Sequence, residues 1–237
     1  SLNGGPTQPG STFSGLQAGT YLVTVYDNHG CSDTSSVTLG NSYIISVTTI
    51  NQTDVSCYGA ADGSVTAQVN GGIPPYEYSI NGVTFQSSAT FSGLGAGNYI
   101  VIGRDSKGCT EFDNVTIVQP AQLTITIDSV ANVLCNGSST GAIYITISGG
   151  TPFYTYTWSN NISTEDNIGV TAGTYNMTVI DSKGCTTSSG ATLSQPFALS
   201  LNVAQYNNPL CNGTSTGAID ITANGGVPPY AYAWSTS

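Results

Sequence analysis

Residues 71–78 read Gly-Gly-Ile-Pro-Pro-Tyr-Glu-Tyr, and the pattern returns as Gly-Gly-Thr-Pro-Phe-Tyr-Thr-Tyr at 149–156 and as Gly-Gly-Val-Pro-Pro-Tyr-Ala-Tyr at 225–232. A second pattern, Gly-x-x-Ala-Gly-x-Tyr, occurs at 15–21, 93–99 and 169–175. Both patterns recur at a spacing of 78 and then 76 residues. Recurrence at a fixed period is the signature of a tandem-repeat protein, so one unit is about 77 residues long.

This period predicts four segments, called repeats 1 to 4 below. We expect the C-terminal half of a repeat in residues 1–42, complete repeats in 43–120 and 121–197, and the N-terminal half of a repeat in 198–237. Because both ends interrupt a unit, we expect the sequence to be part of a longer protein.

Each repeat has the pattern of a series of short strands. In repeat 3 we predict strands over 123–127, 142–148, 154–158, 174–180 and 188–193, with a weaker strand between 160 and 170. Tyr175, Met177 and Val179 alternate with polar residues at 176 and 178, which is the period of 2 that a half-buried strand requires. The run Asp-Ser-Lys-Gly at 181–184 predicts a tight hairpin, in which Gly supplies the positive φ. The sequence therefore predicts an all-β fold of small, antiparallel, immunoglobulin-like β-sandwiches joined in tandem into a rod.

Charged residues are scarce, at 7% of the chain against roughly 25% in an average soluble domain. Thirteen acidic residues against three basic ones give a net charge of -10. Nucleic-acid phosphates need clustered Lys and Arg, so a nucleic-acid partner is excluded. We also expect no membrane insertion, because no run of about 18 apolar residues occurs.

Six cysteines recur at two positions of the repeat, Cys31, Cys57, Cys109, Cys135, Cys185 and Cys211. Two cysteines per repeat indicate disulfides in an oxidising compartment. A zinc site is disfavoured, because the chain has no Cys-x-x-Cys motif and a single histidine.

Two disulfide pairings stay open. Pairing across repeat junctions gives Cys31–Cys57, Cys109–Cys135 and Cys185–Cys211, and pairing within repeats gives Cys57–Cys109 and Cys135–Cys185. We favour the junction pairing, because the two cysteines of one sandwich should lie at opposite ends, beyond the Cα separation of about 7 Å that a bridge tolerates. It requires a hairpin between the last strand of one repeat and the first strand of the next, turning near residues 119–120 and 195–196.

The strand that completes the opening pattern carries alternating aromatic residues, which are Tyr154, Tyr156 and Trp158 in repeat 3 and Tyr230, Tyr232 and Trp234 in repeat 4. If these rings face outward, they can stack on sugars; if they face inward, they fill the core of a small sandwich. The core interpretation is favoured because all three rings share one face of the strand, and ligand stacking is the alternative.

No catalytic arrangement is visible in the sequence. The single histidine, His29, lies in a turn at a position where repeats 2 and 3 carry lysine, so it is not expected to be a general base. Asp27, Asp105 and Asp181 recur before a Gly turn and are expected to cap it with hydrogen bonds to backbone N–H groups. No cluster of oxygen ligands for a cation accompanies them. We expect no enzyme activity, no cofactor and no metal site.

Taken together, the motifs resemble the SprB repeat. They are Cys-Asn-Gly-x-Ser-Thr-Gly-Ala-Ile at 135–143 and 211–219, the Gly-Gly-x-Pro-x-Tyr-x-Tyr strand, Ala-Gly-Thr-Tyr, and Asp-Ser-Lys-Gly-Cys. The family is named for a very large mobile surface adhesin of gliding Bacteroidetes, and the resemblance covers essentially the whole chain. It implies a secreted filament attached to the outer membrane, exported by the type IX system and moved by the gliding machinery. Repeat 2 departs from the pattern, because Ile80 replaces the Trp and Tyr58 replaces the Asn after Cys.

We therefore expect a structural and adhesive segment of a long extracellular filament on the cell surface, used in surface attachment and gliding motility. Its expected partner is an external surface or polysaccharide. The alternatives are carbohydrate-binding module repeats and the non-adhesive stalk of a secreted enzyme. Asp128-Ser129-Val130 also resembles the O-glycosylation pattern of these bacteria, which makes Ser129 a candidate modification site.

Overall fold

The computed structural model describes residues 1–40 and 44–235, and the regular elements in these ranges are all β-strands. The described part of the chain contains no helix of the length and apolarity that a membrane crossing needs. The predicted boundary between residues 42 and 43 lies outside the described residues. The strands are β1 (Gly19–Tyr26), β2 (Ser32–Leu39), β3 (Ile45–Thr53), β4 (Gly63–Gly71), β5 (Glu77–Ser79), β6 (Thr90–Leu94), β7 (Gly97–Arg104), β8 (Thr110–Ile117), β9 (Thr124–Ala131), β10 (Gly141–Ser148), β11 (Thr155–Trp158), β12 (Asn167–Val170), β13 (Gly173–Ile180), β14 (Thr186–Leu193), β15 (Ser200–Asn207) and β16 (Ala218–Asn224).

Repeat 3 folds into two three-stranded sheets, with strand orders β12-β10-β9 and β11-β13-β14. Each named pair is antiparallel, and the longest ladder joins β13 to β14 from Gly173↔Leu193 to Ile180↔Thr186. The five predicted strands of this repeat are confirmed, and the weaker sixth one is β12. The predicted hairpin is confirmed as the turn between β13 and β14, in which Gly184 has a φ of 85°.

The core of repeat 3 is formed by inward-facing side chains from both of its sheets. Its buried members are Leu123, Ile143, Ile145, Trp158, Val170, Met177, Val179 and Leu193. Along β13, Met177 and Val179 are buried while the intervening residues at 176, 178 and 180 are exposed. This alternation is what binary patterning at period 2 predicts for a strand with one buried face.

Repeat 2 has the same design, with sheets β3-β4-β6 and β5-β7-β8. The fold class is therefore confirmed as tandem antiparallel β-sandwich repeats without helices among the described residues. Repeats 1 and 4 each contribute a two-stranded sheet, β1-β2 and β15-β16. The arrangement of the repeats into a rod stays a prediction.

The chain forms two compact units. One comprises Ser1–Thr53, Ser64–Ser92 and Gly97–Thr116, and the other comprises Asp54–Gly63, Gly93–Ala96 and Ile117–Ser237. The second unit thus contains repeat 3 together with the loop that follows β3 of repeat 2. The four segment boundaries given by the sequence period stay a prediction.

The hairpin expected across the repeat junction is wrong. Strand β8 belongs to the sheet β5-β7-β8, and β9 belongs to the sheet β12-β10-β9. The reason is that each of these strands finds its ladder partner within its own repeat, so the connector between them does not have to reverse the chain into a shared sheet.

Candidate functional site

The aromatic strand of repeat 3 places its tryptophan inside the sandwich. Trp158 ends β11, is 2% exposed, and belongs to the core of the repeat. Its indole Nε1–H donates to the carbonyl oxygen of Thr164 at 3.0 Å, so the one polar atom of the ring is satisfied within the protein. A ring buried on both faces cannot stack on a sugar, and this placement is the core interpretation of the motif.

The first tyrosine of the motif holds the Gly-Gly turn that precedes it. The hydroxyl of Tyr154 donates to the carbonyl of Gly149 at 2.7 Å, and Tyr76 makes the same bond to Gly71 at 2.8 Å. Tyr230 is placed in the same way against the turn of repeat 4. The recurrence of this bond gives the tyrosine a structural role in all three copies.

Tyr156, which lies between Tyr154 and Trp158 in the aromatic strand of repeat 3, is half-buried. Burial raises the pKa of its phenol, and the nearby negative charge of Glu165 raises it further. The phenol is therefore neutral at physiological pH and has no role as a base.

In repeat 4 the same motif is open to solvent. Tyr232 is 52% exposed and Trp234 is 64% exposed, and both line an apolar depression with Val203 and Ile219. These four residues correspond, 76 positions earlier, to core or core-packed residues of repeat 3, as Trp234 does to Trp158. The depression is thus the inner face of the sheet β15-β16, and strands corresponding to β13 and β14 do not occur within the described residues 198–235.

The recurring aspartate caps the last hairpin of each repeat, as the sequence predicts. In repeat 3 the Oδ1 atom of Asp181 accepts hydrogen bonds from the backbone N–H groups of Lys183 and Cys185, both at 2.9 Å. Its Oδ2 atom accepts a third bond from the N–H of Thr151 at 2.7 Å, which fastens the hairpin to the Gly-Gly turn. Asp105 makes the equivalent three bonds in repeat 2. The capping aspartate therefore fixes the backbone of the cysteine that ends each of these turns.

These two carboxylates are buried, with Asp105 at 4% and Asp181 at 5% exposure. Burial alone would raise the pKa of each group, but the backbone N–H donors around the carboxylate outweigh it and the pKa of both lies below the ordinary value. Both groups are ionised at neutral pH, where a carboxylate is the better hydrogen-bond acceptor.

The structure contains a disulfide between Cys57 and Cys185, with a Cα separation of 5.7 Å. Neither predicted pairing includes this bond, so both are wrong for these two cysteines. Cys57 lies in the loop after the first strand of repeat 2, and Cys185 ends the capped turn of repeat 3. The favoured pairing is wrong for Cys57 and Cys185 because its junction hairpin does not form. The placement of one repeat's two cysteines at opposite ends of the sandwich stays a prediction. Cys31, Cys109, Cys135 and Cys211 are free and exposed.

Sequence reasoning missed the residues that hold the loop around Cys57. The backbone N–H of Gly59 donates to the side-chain Oε1 of Gln119 at 2.9 Å, and Val55 N–H donates to the carbonyl of Val118 at 3.2 Å. The N–H of Val118 in turn donates to Oδ1 of Asp54 at 3.0 Å. The recurrence of Gln-Pro at 119–120 and 195–196 is the sequence signal for this contact, whereas from the sequence alone it is interpreted as a hairpin turn.

The remaining predicted sites show no arrangement that suggests chemistry. Within residues 1–40 and 44–235, no group of three or more His, Cys, Asp or Glu side chains could hold a metal ion. His29 is exposed in its turn, where its backbone N–H donates to Asp27 at 2.8 Å. Ser129 is exposed on β9, which is accessible to a modifying enzyme, and its glycosylation stays a prediction.

Two complete β-sandwiches of one design, joined by a disulfide, define a tandem-repeat structural protein. The family model of the SprB repeat matches residues 49–85, 127–162 and 203–237. These three stretches of the chain are therefore SprB repeats. The three matches start 78 and then 76 residues apart, which is the period of the sequence patterns. SprB repeats belong to cell-surface proteins, so the chain is a structural repeat segment of a large surface protein, and its disulfide fits an extracellular location.

Among solved structures, the chain is similar to the C-terminal 282-residue fragment of intimin, crystallised in complex with the intimin-binding domain of the translocated intimin receptor. The sequences are 16% identical, the TM-score is 0.30, and the match covers 77% of this chain and 60% of the other. A similarity at this TM-score carries no argument about fold or partner. No curated protein matches the chain.

Proposed function

We propose that the chain is a tension-bearing segment of a long extracellular filament, through which a bacterial surface adhesin reaches and holds an external surface or polysaccharide during attachment and gliding. One observation carries the proposal, which is the disulfide that joins a loop of repeat 2 to a turn of repeat 3. A disulfide between consecutive repeats makes a tandem array more resistant to a pulling force, whereas the function of an isolated binding module does not require a bond to a neighbouring repeat.

The effect of the bond on extension follows from chain geometry. Cys57 and Cys185 are 128 positions apart, and a stretched polypeptide gains at most roughly 3.3–3.6 Å per residue. The bond therefore withholds about 440 Å of contour length from a pulling force. Only the residues outside the closed loop can be drawn out.

The cellular setting of the proposal comes from the family. The filament is attached to the bacterial outer membrane, exported by type IX secretion, and engages the gliding machinery through other parts of the protein. Contact with acidic polysaccharide needs bridging cations or apolar stacking, because a chain with a net charge of -10 repels anionic surfaces.

Two other functions receive less support. A carbohydrate-binding module needs exposed rings, and Trp158 is 2% exposed in its complete repeat. The stalk of a secreted enzyme requires a catalytic domain elsewhere in the protein. For the chain itself we propose a non-catalytic role, which is supported by the shared repeat design and by the structural bonds of its acids and tyrosines.

The mechanical role is tested by force spectroscopy on the chain held by its two ends. The oxidised protein should reach a final extension about 440 Å shorter than the Cys57→Ser variant, with an unfolding force peak in both. A Cys109→Ser variant is the matched control, because this exposed thiol is free, and it should behave as the parent chain does. Extension of the oxidised chain without a force peak would refute the tension-bearing role.

The adhesive part of the proposal needs a separate measurement. Beads coated with the whole chain are offered neutral and acidic polysaccharides and glass, beside bare beads. Saturable capture that persists in Trp234→Ala places adhesion on the outer surface of the repeats. Capture that is lost in this variant comes from the uncovered inner face of the sheet β15-β16, whose equivalent in repeat 3 is core, and contradicts adhesion by complete repeats. No capture removes adhesion from these repeats and leaves them a spacer.

A further inference from the structure

The disulfide joins two defined positions of the repeat. The early cysteine, in the loop after the first strand, is Cys57, Cys135 or Cys211, and the late cysteine, at the end of the capped turn, is Cys31, Cys109 or Cys185. The observed bond joins the early cysteine of repeat 2 to the late cysteine of repeat 3. We propose that this is the general rule, so that each early cysteine is oxidised with the late cysteine of the repeat that follows. Under this rule Cys135 and Cys109 are bonding sites for neighbouring repeats.

The loop around Cys135 is built like the loop around Cys57. The N–H of Gly137 donates to Oε1 of Gln195 at 2.8 Å, where Gly59 donates to Gln119 at 2.9 Å. Two further bonds tie the same loop to the end of the repeat. Val133 N–H donates to the carbonyl of Ser194, and Ser194 N–H donates to the side chain of Asn132, as Val55, Val118 and Asp54 do in repeat 2. Cys135 is therefore presented as Cys57 is, and it is exposed and free.

The start of the following repeat is also fixed in the same way at both junctions. Gly150 N–H donates to the carbonyl of Ala121 at 2.8 Å, and Gly226 N–H donates to the carbonyl of Phe197 at 2.8 Å. The connector leaves one repeat and enters the next through equivalent bonds. The start of the following repeat is thus built in the same way at both junctions.

The late cysteine is held equally well where it has no partner. The N–H of Cys109 donates to Asp105 at 2.9 Å, and the N–H of Cys185 donates to Asp181 at the same distance. The N–H of Cys31 donates to Asp27 at 2.8 Å. The turn that presents Cys185 to Cys57 is therefore preformed in the repeats whose late cysteine is free.

The chemistry is a thiol–disulfide exchange. The two cysteine thiols lose two protons and two electrons as their S–S bond forms. A disulfide-containing oxidant accepts the two protons and the two electrons, and its own S–S bond breaks to give two thiols. Oxidised glutathione serves as the oxidant in the test, and a disulfide oxidoreductase of the bacterial envelope is the class that would supply it in the cell.

The test adds one junction to the chain by inserting a second copy of residues 121–196 after Pro196. The parent chain has four free cysteines and one disulfide. The enlarged chain is folded in a mixture of reduced and oxidised glutathione, in which the reduced form releases glutathione from unpaired cysteines. Titrated with a thiol reagent after unfolding, it should again show four free thiols, because the added pair of cysteines is consumed by a second bond. Peptide mapping should link Cys135 of the first copy to Cys185 of the second.

Two variants of the enlarged chain make the assignment specific. Replacing Cys185 of the second copy by Ser should leave five free thiols, and adding Cys57→Ser to that variant should leave six. Six free thiols in the unsubstituted enlarged chain would overturn the rule, as would a peptide that links Cys135 to Cys109 or to Cys211. Circular dichroism of the reduced proteins checks that the added repeat is folded. The thiol count does not depend on adhesion or on force, so its failure is distinct from failure of the proposed function.

Discussion

Replacement of Trp158 by Ala measures whether the aromatic motif is a core element. The ring is 2% exposed, and truncation of a buried Phe or Trp costs about 3–5 kcal/mol. Loss of the indole bond to Thr164 adds less than this, since a hydrogen bond contributes about 1 kcal/mol and the freed carbonyl can meet water. We expect a loss of about 4 kcal/mol, comparable to the whole stability of a repeat of about 77 residues, which is roughly 4–12 kcal/mol.

The chain provides a matched control for this change in Trp234. It occupies the same motif position one repeat later and is 64% exposed. Its replacement by Ala should change stability by no more than about 0.5 kcal/mol, as surface substitutions do. Comparison of the two variants removes any effect of the amino-acid change itself.

Native-state hydrogen exchange is the assay, because it reports on repeat 3 alone in a chain of several units. Amides of β13 that exchange by opening of the whole repeat should exchange about a thousandfold faster in Trp158→Ala, since each 1.4 kcal/mol corresponds to a factor of ten. The same peptide should be unchanged in Trp234→Ala. Equal effects of the two variants, or an acceleration below about tenfold in Trp158→Ala, would show that the ring is not a core element.

Three further outcomes follow from the contacts described. Asp181→Ala should lower the yield of the Cys57–Cys185 disulfide during oxidative refolding, because it removes the three hydrogen bonds that fix the Cys185 turn. Asp105→Ala is the control and should leave that yield unchanged. Peptide mapping measures the yield in both variants. Both carboxylates have a pKa below the ordinary value of 3.8, so their contribution to stability is complete above that pH and is lost as pH falls through the lower folded value. Thermal unfolding between pH 6 and pH 2 should show this loss, and a double Asp→Asn variant should show a flatter profile. Cys57→Ser should destabilise the protein by up to about 5 kcal/mol, the chain-entropy value for so long a loop, whereas an unchanged denaturation midpoint would contradict it.

The fold could be predicted because several local sequence patterns in each repeat indicate the same strands and turns. Alternation at 175–179 fixed which face of β13 is buried, and the Asp-Ser-Lys-Gly run fixed the hairpin that follows. Strand β12 was the least certain, because it has only four residues, Asn-Ile-Gly-Val, one of them a Gly in the left-handed region. Local pattern therefore predicts the long strands well and the short edge strand poorly.

The disulfide partner could not be obtained from spacing in the same way. The nearest cysteines in sequence, 26 residues apart, suggested a shared hairpin. In the structure, β14 leads away from the Cys185 turn and ends where the Ser194 and Gln195 bonds hold the Cys135 loop. The next repeat begins at that end, and the Cys57–Cys185 bond shows for repeats 2 and 3 that the late turn of a repeat can reach the early cysteine of the repeat before it. This pairing depends on the direction of the last strand, which spacing alone does not contain.

The motif of Trp158 and Trp234 shows a different limit of sequence reasoning. One sequence pattern gives 2% exposure in one repeat and 64% in the other. The difference arises because β11 of repeat 3 belongs to a three-stranded sheet with β13 and β14, which closes the core around the first ring. No corresponding strands follow the second ring within the described residues 198–235. A motif predicts the face of its strand, but burial depends on whether the other strands of its own sheet are present.

The Cys57–Cys185 bond also has a consequence for survival outside the cell, where a surface protein meets secreted proteases. A single cut of the backbone anywhere between these two cysteines leaves the two parts joined through sulfur, so the damaged chain is not shed. Exposed loops in this span, such as the one around residues 135–140, can therefore be nicked without release of what lies beyond them. If every junction is linked in this way, successive closed loops overlap, and the protein stays in one piece after backbone cuts that would sever a string of domains without such bonds.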